Sequence, residues 1–298
     1  MRRFVFVGVA LALVAGLTAC GSSGSKSGTK DTGATTTSAP SGSSECGSVP
    51  AGAAGFTPVV ADTLTVVTSL PGPGFWEGSD TDPTKVTSGY EYDLAKCMQQ
   101  DFGLQKLVVR NVSFDAIVAG TVTNYDLALS QISITPERAK VVSFSEPYFE
   151  SQQGILMKAG KSVSTLADAK KLNWGVQTAT TAVDLLKKIG VNSPHTYESL
   201  ADAYTALQAD QVDAILIDTA INLGEAARSN GTFHVVAQFN QPGGPDQYGA
   251  ILPKGSANLD QVNAVFDAMK SGGQLKSLSD KDLTADPGTI PVITIPNE

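Results

Sequence analysis

Apolar positions recur along this chain with two different periods. Short runs rich in branched side chains at residues 64–68, 107–112, 126–132, 154–157, 214–217, 234–237 and 248–252 predict β-strands. Helical spacing lies between most of them. Tyr90, Leu94 and Met98 stand at i, i+4 and i+8 on a helix starting near Glu91, and Ala182, Leu185, Leu186 and Ile189 mark one face of another, stopped by Gly190. Such alternation predicts an α/β architecture of mostly parallel sheets, with ligand sites at the carboxyl ends of strands.

The amino terminus follows a different pattern. Arg2 and Arg3 precede an apolar run over residues 4–19 that is short for a bilayer span but suits a signal peptide. It ends in Leu17-Thr18-Ala19-Cys20, which resembles the lipobox of bacterial lipoproteins. That resemblance implies lipidation of Cys20 by acyl chains of the palmitate class, two of which suffice for stable anchoring. The alternative is an ordinary secretory signal with an incidental cysteine. Residues 21–44 are almost all Gly, Ser, Thr, Ala and Lys, with nothing aromatic to bury, and predict a flexible tether. A Ser-x-x-Lys match at Ser23 and Lys26 lies inside this repetitive stretch and carries no weight.

Composition narrows the chemistry. The 298 residues allow about two domains, and 42% apolar with 17% charged residues is the balance of a globular chain. A net charge of −8 argues against nucleic acid as a partner. Two histidines, without HExxH or CxxC, leave no metal framework to expect, and no cofactor motif stands out. With Cys20 assigned to lipid, Cys46 and Cys97 form either a disulfide, favoured outside the cell, or two separate thiols, Cys97 then being a small core residue.

The most informative stretch is residues 126–148, DLALSQISITPERAKVVSFSEPY. A strand runs into Ser133, and Thr135-Pro136 then reads as the cap and first position of a helix. Arg138 would sit in its first turn, where a cation opposes the helix dipole by about 0.3 to 1 kcal/mol unless an anion lies beside it. That points to a carboxylate site. The alternative is a surface pair with Glu137.

Here the chain resembles the family 3 solute-binding proteins of ABC transporters for polar amino acids. The shared pattern is a strand, a small polar stretch, T-P-E-R and F-S-x-P-Y, matched by Thr135 to Arg138 and Phe144 to Tyr148. Gly89-Tyr90-Glu91-Tyr92-Asp93-Leu94 is similar to G-F-D-V-D-L, and the segment from Val212 to Asp218 to V-D-A-x-x-x-D. The resemblance implies a periplasmic-binding-protein-like type II fold: two lobes with mixed, mostly parallel sheets joined by two hinge crossings, near residues 150–153 and 245–248. The expected layout is a signal peptide over 1–19, a lipid-anchored linker over 20–55, lobe 1 from 56–152 with 246–286, lobe 2 over 153–245, and a tail over 287–298.

Carried over by position, Arg138 resembles the fork for a ligand α-carboxylate, and Ser130, Gln131 and Ser133 the hydroxyl and main-chain partners beside it. Ordinary strand-end bonding is the alternative for Ser133. Thr180, in Gln177-Thr178-Ala179-Thr180-Thr181, matches a V-Q-x-G-T-T turn that meets the same carboxylate or simply caps a helix. Asp218 matches the partner of the α-ammonium, and an N-cap role is compatible with that. Tyr90 matches an aromatic over the ligand side chain, with Phe75 or Trp76 as the second; core packing is the alternative for each. Ser69, beside Thr68, stands where the family commonly has an aspartate, and Gln131 and Ala179 replace glycines.

The implied function is the extracytoplasmic binding component of an amino-acid importer, not an enzyme. Its partners would be a free amino acid, the permease subunits and the membrane through the lipid anchor, with the chain a monomer on the outer face of the cytoplasmic membrane. Two alternatives stay open: a cyclohexadienyl or arogenate dehydratase-like enzyme, with Glu77 as the acid in a suitable loop, and an amino-acid-sensing lipoprotein.

Overall fold

The computed structural model describes residues 46–283 and 289–296. The expected signal peptide over 1–19, Cys20 and the expected tether over 21–44 lie outside the described residues. In chain order the first half forms β1 (Thr63–Thr68), α1 (Tyr90–Asp101), β2 (Lys106–Asn111), α2 (Phe114–Val118), β3 (Leu127–Ala128), β4 (Val142–Phe144) and β5 (Phe149–Ser151). The middle contains β6 (Gln153–Lys158), α3 (Leu166–Ala169), β7 (Trp174–Gln177), α4 (Thr181–Lys188), β8 (His195–Tyr197), α5 (Leu200–Gln208), β9 (Ala214–Asp218), α6 (Thr219–Arg228) and β10 (Phe233–Asn240). Then come β11 (Asp246–Tyr248), β12 (Ile251–Pro253), α7 (Leu259–Ser271), α8 (Gln274–Asp282) and β13 (Val292–Thr294).

Two sheets organise these elements into two lobes. Lobe 1 carries five strands in the order β2-β1-β3-β12-β4, and lobe 2 six in the order β13-β10-β6-β9-β7-β8. β1 is buried at every position, as suits a central strand covered on both faces, whereas β2 is partly exposed along the edge. β1 pairs in parallel with β2 and β3, while β12 returns antiparallel between β3 and β4, so both sheets are mixed. Because β12 arrives from far along the chain, lobe 1 is discontinuous in sequence.

The lobes are joined by a ribbon. β5 leaves lobe 1, β11 returns to it, and the two pair antiparallel with Phe149 opposite Tyr248 and Ser151 opposite Asp246. This two-stranded sheet lies at the crossings that the sequence resemblance implies. Phe75, Tyr90, Tyr148, Phe149 and Tyr248 pack around it with ring centroids 5.4 to 6.3 Å apart.

Both ends of the expected layout need correction. Cys46 is bonded to Cys97 of α1, Ala53 is buried, and Phe56 stacks on Phe102 at 3.9 Å, so folded chain begins well before residue 56. Gly52 permits this, because a Cβ there would stand 2.6 Å from that of Ala264 on α7. At the other end, residues 287–298 include β13, which pairs in parallel with β10 through Val292, Ile293 and Thr294. Ile293 and Ile295 are buried in lobe 2, which removes their apolar area from water and makes a strand of what the sequence alone presents as a tail.

The disulfide closes a loop between cysteines 51 positions apart. Exchanging Cys46 for serine is expected to lower the unfolding free energy by about 2 to 4 kcal/mol, chiefly by releasing the unfolded chain. A urea titration that finds the midpoint unmoved would mean that the amino-terminal segment adds no constraint.

Candidate functional site

The site is assembled where strands of both lobes end facing each other. On lobe 1, β1 runs out at Thr68 into Ser69, and β3 is followed by the turn Ser130-Gln131-Ile132-Ser133. Ser130 Oγ accepts from the Ser69 amide at 2.9 Å, tying the two strand ends together. The stretch expected as strand to residue 132 stops at Ala128 because Gln131 takes a left-handed backbone, φ 49°. A side chain there is costly unless something holds it.

Glu91 supplies the hold. Its carboxylate accepts from the Gln131 amide at 2.7 Å, Gln131 Nε2 at 2.5 Å, Trp76 Nε1 at 2.6 Å and the Tyr148 hydroxyl. The group is wholly buried, and burial raises its pKa above the usual carboxylate range against the pull of these donors. With four donors the carboxylate is satisfied, and the turn that carries Ser130 to Ser133 is fixed to α1. The turn also runs beside the ribbon, since the Ile134 amide donates to the Gln247 carbonyl at 2.8 Å and the Gly249 amide to the Ile132 carbonyl at 3.0 Å.

Arg138 follows this turn, though not on an α-helix. Thr135 Oγ1 accepts from the Arg138 amide at 3.2 Å, and residues Arg138–Lys140 form a single 3-10 turn that leads directly into β4. The helix-dipole reason for an anion at Arg138 therefore fails, because three residues build no dipole of consequence. Contacts hold the guanidinium instead. Nη1 donates to the Ser133 carbonyl at 2.7 Å, Nη2 to the Ala179 carbonyl of lobe 2 at 2.8 Å, and Cζ stands 5.4 Å from the centroid of Phe114. Arg138 is 9% exposed; burial lowers its pKa, and the carboxylates of Asp218, Asp246 and Asp184 oppose that shift. The surface pair expected as the alternative is instead made by Glu137 with Lys140.

Lobe 2 contributes the opposite charge. Asp218 is the last residue of β9 and stands at the N-cap of α6, but its side chain makes no capping bond. It accepts from Gln153 Nε2 at 3.2 Å, and the same amide donates to Asp246 Oδ2 at 2.7 Å. Thr181 Oγ1 also donates to Asp246 Oδ2, at 3.0 Å. Asp218 is 3% exposed, and burial together with the neighbouring Asp246 raises its carboxyl pKa well above the usual range. Ala179, like Gln131, is left-handed at φ 64°, in the turn between β7 and α4. Thr180 closes that turn by donating its hydroxyl to the Gln177 carbonyl at 2.7 Å and makes no side-chain cap.

These groups share one cavity of about 20 Å³. Ser69, Ser130, Gln131, Ser133 and Arg138 line it from lobe 1, and Thr180 and Asp218 from lobe 2. Three expected residues do not reach it. Phe75, Trp76 and Tyr90 are fully buried in lobe 1 and at the ribbon; the indole of Trp76 is committed to Glu91, and the Tyr90 hydroxyl donates to the Tyr148 carbonyl at 3.1 Å. The core alternative holds for all three. Pro71, Phe114, Gln177, Thr181, Leu200 and Ile221 complete the lining and were not anticipated. Gln177 and Thr181 flank the turn singled out in the sequence, which was the available signal, whereas only the tertiary fold brings Phe114 and Leu200 to the cavity. Among the described residues no cluster of His, Cys, Asp and Glu is arranged to hold a metal ion.

Residues 66–284 match the family model of bacterial extracellular solute-binding proteins, family 3. The chain is 31% identical over 217 residues to the ABC transporter glutamine-binding protein GlnH of Bacillus subtilis, covering 67% of this chain and 74% of that protein. Its fold is similar to that of an ancestral arginine-binding protein bound to glutamine, with a TM-score of 0.65 and 28% identity over 75% of this chain and 98% of the other. It is also similar to AncCDT-1, an ancestral amino-acid-binding protein described as a precursor of cyclohexadienyl dehydratase, with a TM-score of 0.62 and 26% identity over 75% and 96% of the two chains. With a match across most of its length and two α/β lobes closing on one charged cavity, this chain belongs to the bacterial extracellular solute-binding proteins, family 3.

Proposed function

We propose that this chain binds a free amino acid between its lobes and delivers it to the permease of an ABC importer. The observation that carries this reading is the pair of buried opposite charges, Arg138 from lobe 1 and Asp218 from lobe 2, in one cavity. A zwitterion is the small molecule that answers both at once. Its α-carboxylate takes the fork of Arg138, where the planar guanidinium donates two parallel bonds, with the Ser133 and Thr180 groups beside it. Its α-ammonium faces Asp218 without help from the end of β1, where Ser69 supplies no charge.

Binding and closure are one event in this scheme. The ligand carboxylate replaces the Ala179 carbonyl as the cross-lobe partner of Arg138, and closure removes both charged ends from water. Micromolar affinity needs about −8 kcal/mol, within reach of a ligand of some ten heavy atoms at up to about −1.5 kcal/mol per atom. A single importer subunit on the outer face of the cytoplasmic membrane, anchored through Cys20, fits this role.

The dehydratase reading gains no support from the site. Glu77, the acid it would need, turns into its own loop, where Oε1 accepts from the Gly74 amide at 2.6 Å, and it does not line the cavity. A sensing role would use the same residues and differs only in the protein partner, so copurification with transporter subunits separates the two.

Arg138→Ala is expected to weaken amino-acid binding at least a hundredfold by calorimetry, in line with about 3 to 5 kcal/mol for stranding a buried carboxylate. Undiminished affinity would remove Arg138 from the site.

The raised pKa of Asp218 gives a second expectation. Below it the carboxyl is protonated, and an arriving ammonium must displace that proton. Affinity should therefore fall as pH is lowered through this range, by up to tenfold per unit, with close to one proton released per ligand bound. Titrations in buffers of different ionisation enthalpy count that proton. Asp218→Asn should abolish the release, and a pH-independent affinity in the unaltered protein would contradict the assignment.

A further inference from the structure

A second cleft, of about 290 Å³, lies on lobe 1 and shares no wall residue with the cavity between the lobes. Three pieces of chain form it: the end of α1 at Asp101, the end of α7 at Met269 and Ser271 with Gln274 opening α8, and the amino-terminal segment at Cys46 and Ser48. The disulfide brings them together. Cys97 and Asp101 stand four apart on α1, and therefore on one face of it. The bond from Cys97 to Cys46 thus places the amino-terminal segment beside the Asp101 side chain.

Asp101 is the group that this packing leaves unanswered. It is 7% exposed, and among the described residues its carboxylate accepts no hydrogen bond and joins no ion pair. Other buried acids of lobe 1 are treated differently: Glu91 has its four donors, and Asp126 accepts from the Val59 and Thr65 amides at 2.7 Å each. Burial alone acts on Asp101 and pushes its carboxyl up to about 6, so at neutral pH the group is mainly charged.

A carboxylate so placed is costly unless a cation reaches it. The neighbouring lysines do not. Lys270 of α7 is exposed, Lys276 of α8 is held by Asp280 at 2.5 Å, and Lys281 by Asp93 at 2.6 Å. The surroundings add to the negative potential, because α1 and α7 both end at the cleft and the carboxyl ends of helices carry partial negative charge. Gln274 donates its side-chain amide to the Met269 and Gly272 carbonyls at 3.2 Å each, which leaves the amide oxygen as an acceptor.

The wall narrows the class of cation. Beside Asp101 it is sulfur and hydrocarbon: the disulfide at Cys46, the Met269 thioether and the Ala268 methyl. A metal ion would find a single carboxylate, since no group of three ligating side chains occurs among the described residues. A methylene stem suits such a wall, and an ammonium head suits the carboxylate. The volume is close to the lower bound of small-molecule pockets, about 300 Å³.

We propose that this cleft is a second binding site, for an alkylammonium group, whose head pairs with Asp101 and whose stem lies along Met269, Ala268 and the disulfide. A free alkylamine and a lysine side chain on a protein partner both carry that chemistry.

Butylammonium is the probe. Isothermal titration of the full chain should show saturable binding of butylammonium but not of butanol, and Asp101→Asn should weaken it at least tenfold. Asp218 also offers a carboxylate to an ammonium, so the titration is repeated in Asp218→Asn, where binding is expected to persist. Loss in Asp218→Asn with retention in Asp101→Asn, equal binding of butanol, or no saturable binding would overturn the inference. None of these outcomes bears on the amino-acid reading, because Asp101→Asn should leave amino-acid affinity unchanged. Nα-acetyl-lysine methylamide separates the two sources: binding within tenfold of butylammonium supports a protein lysine, and its exclusion while butylammonium still binds supports a free amine. The melting temperature is an independent check. Exchanging an unanswered carboxylate for a neutral amide of the same shape should leave it unchanged or raise it, and a clear fall would show that Asp101 is already paired, which would also overturn the inference.

Discussion

A buried guanidinium at the meeting of two lobes governs the rest of this structure. An unpaired charge out of water costs several kcal/mol, so Arg138 must be answered from every side. The Ser133 carbonyl answers from its own lobe, the Ala179 carbonyl from across the cleft, and the face of Phe114 from a third direction. The cross-lobe bond to Ala179 means that the protein's own backbone stands in for an anion. In the proposed scheme, ligand exchange is a competition between a neutral carbonyl and a carboxylate for the same donor, in which the carboxylate is favoured because charge-assisted bonds are roughly twice as strong. Both left-handed residues of the site serve this arrangement, Gln131 by turning the strand end toward Arg138 and Ala179 by lying in the turn whose carbonyl faces it.

The opposite charge is wired to the hinge. One amide, Gln153 Nε2, touches Asp218 in the cavity and Asp246 on the returning strand of the ribbon, and Gln153 lies two residues past the end of the outgoing one. Whatever changes the charge of Asp218 is felt where the lobes pivot. A second wire runs through lobe 1, from the Glu91 carboxylate to the Tyr148 hydroxyl beside the ribbon and to the Gln131 turn beside the cavity. Hydrogen bonds therefore link the cavity to the ribbon from both lobes.

Much of the fold was legible in the sequence because it rests on local signals. Branched runs became β1, β2, β6, β9 and β10, helical spacing became α1 and α4, and Asp218 stands at the end of β9. Where the sequence misled, a long-range partner decided. Thr135-Pro136 has the chemistry of a helix start, but β4 begins four residues past Arg138 to pair with β12, and the helix is cut to one turn. Trp76 is expected to face the ligand, yet its indole N–H finds Glu91, fifteen positions away, and the ring is buried with it. Phe114, Leu200 and Ile221 look like any apolar residues of their helices, and only the packing of two lobes makes them a cavity wall.

The first and last described segments lie in different places. The disulfide at Cys46 fastens the first described residues to lobe 1, whereas β13, close to the last, is an edge strand of the lobe 2 sheet. The first and last described segments therefore belong to different lobes. A fluorophore near residue 46 and another near residue 296 would register the angle between the lobes as a distance, turning the protein into an optical gauge of its own occupancy without altering a single group in the cleft.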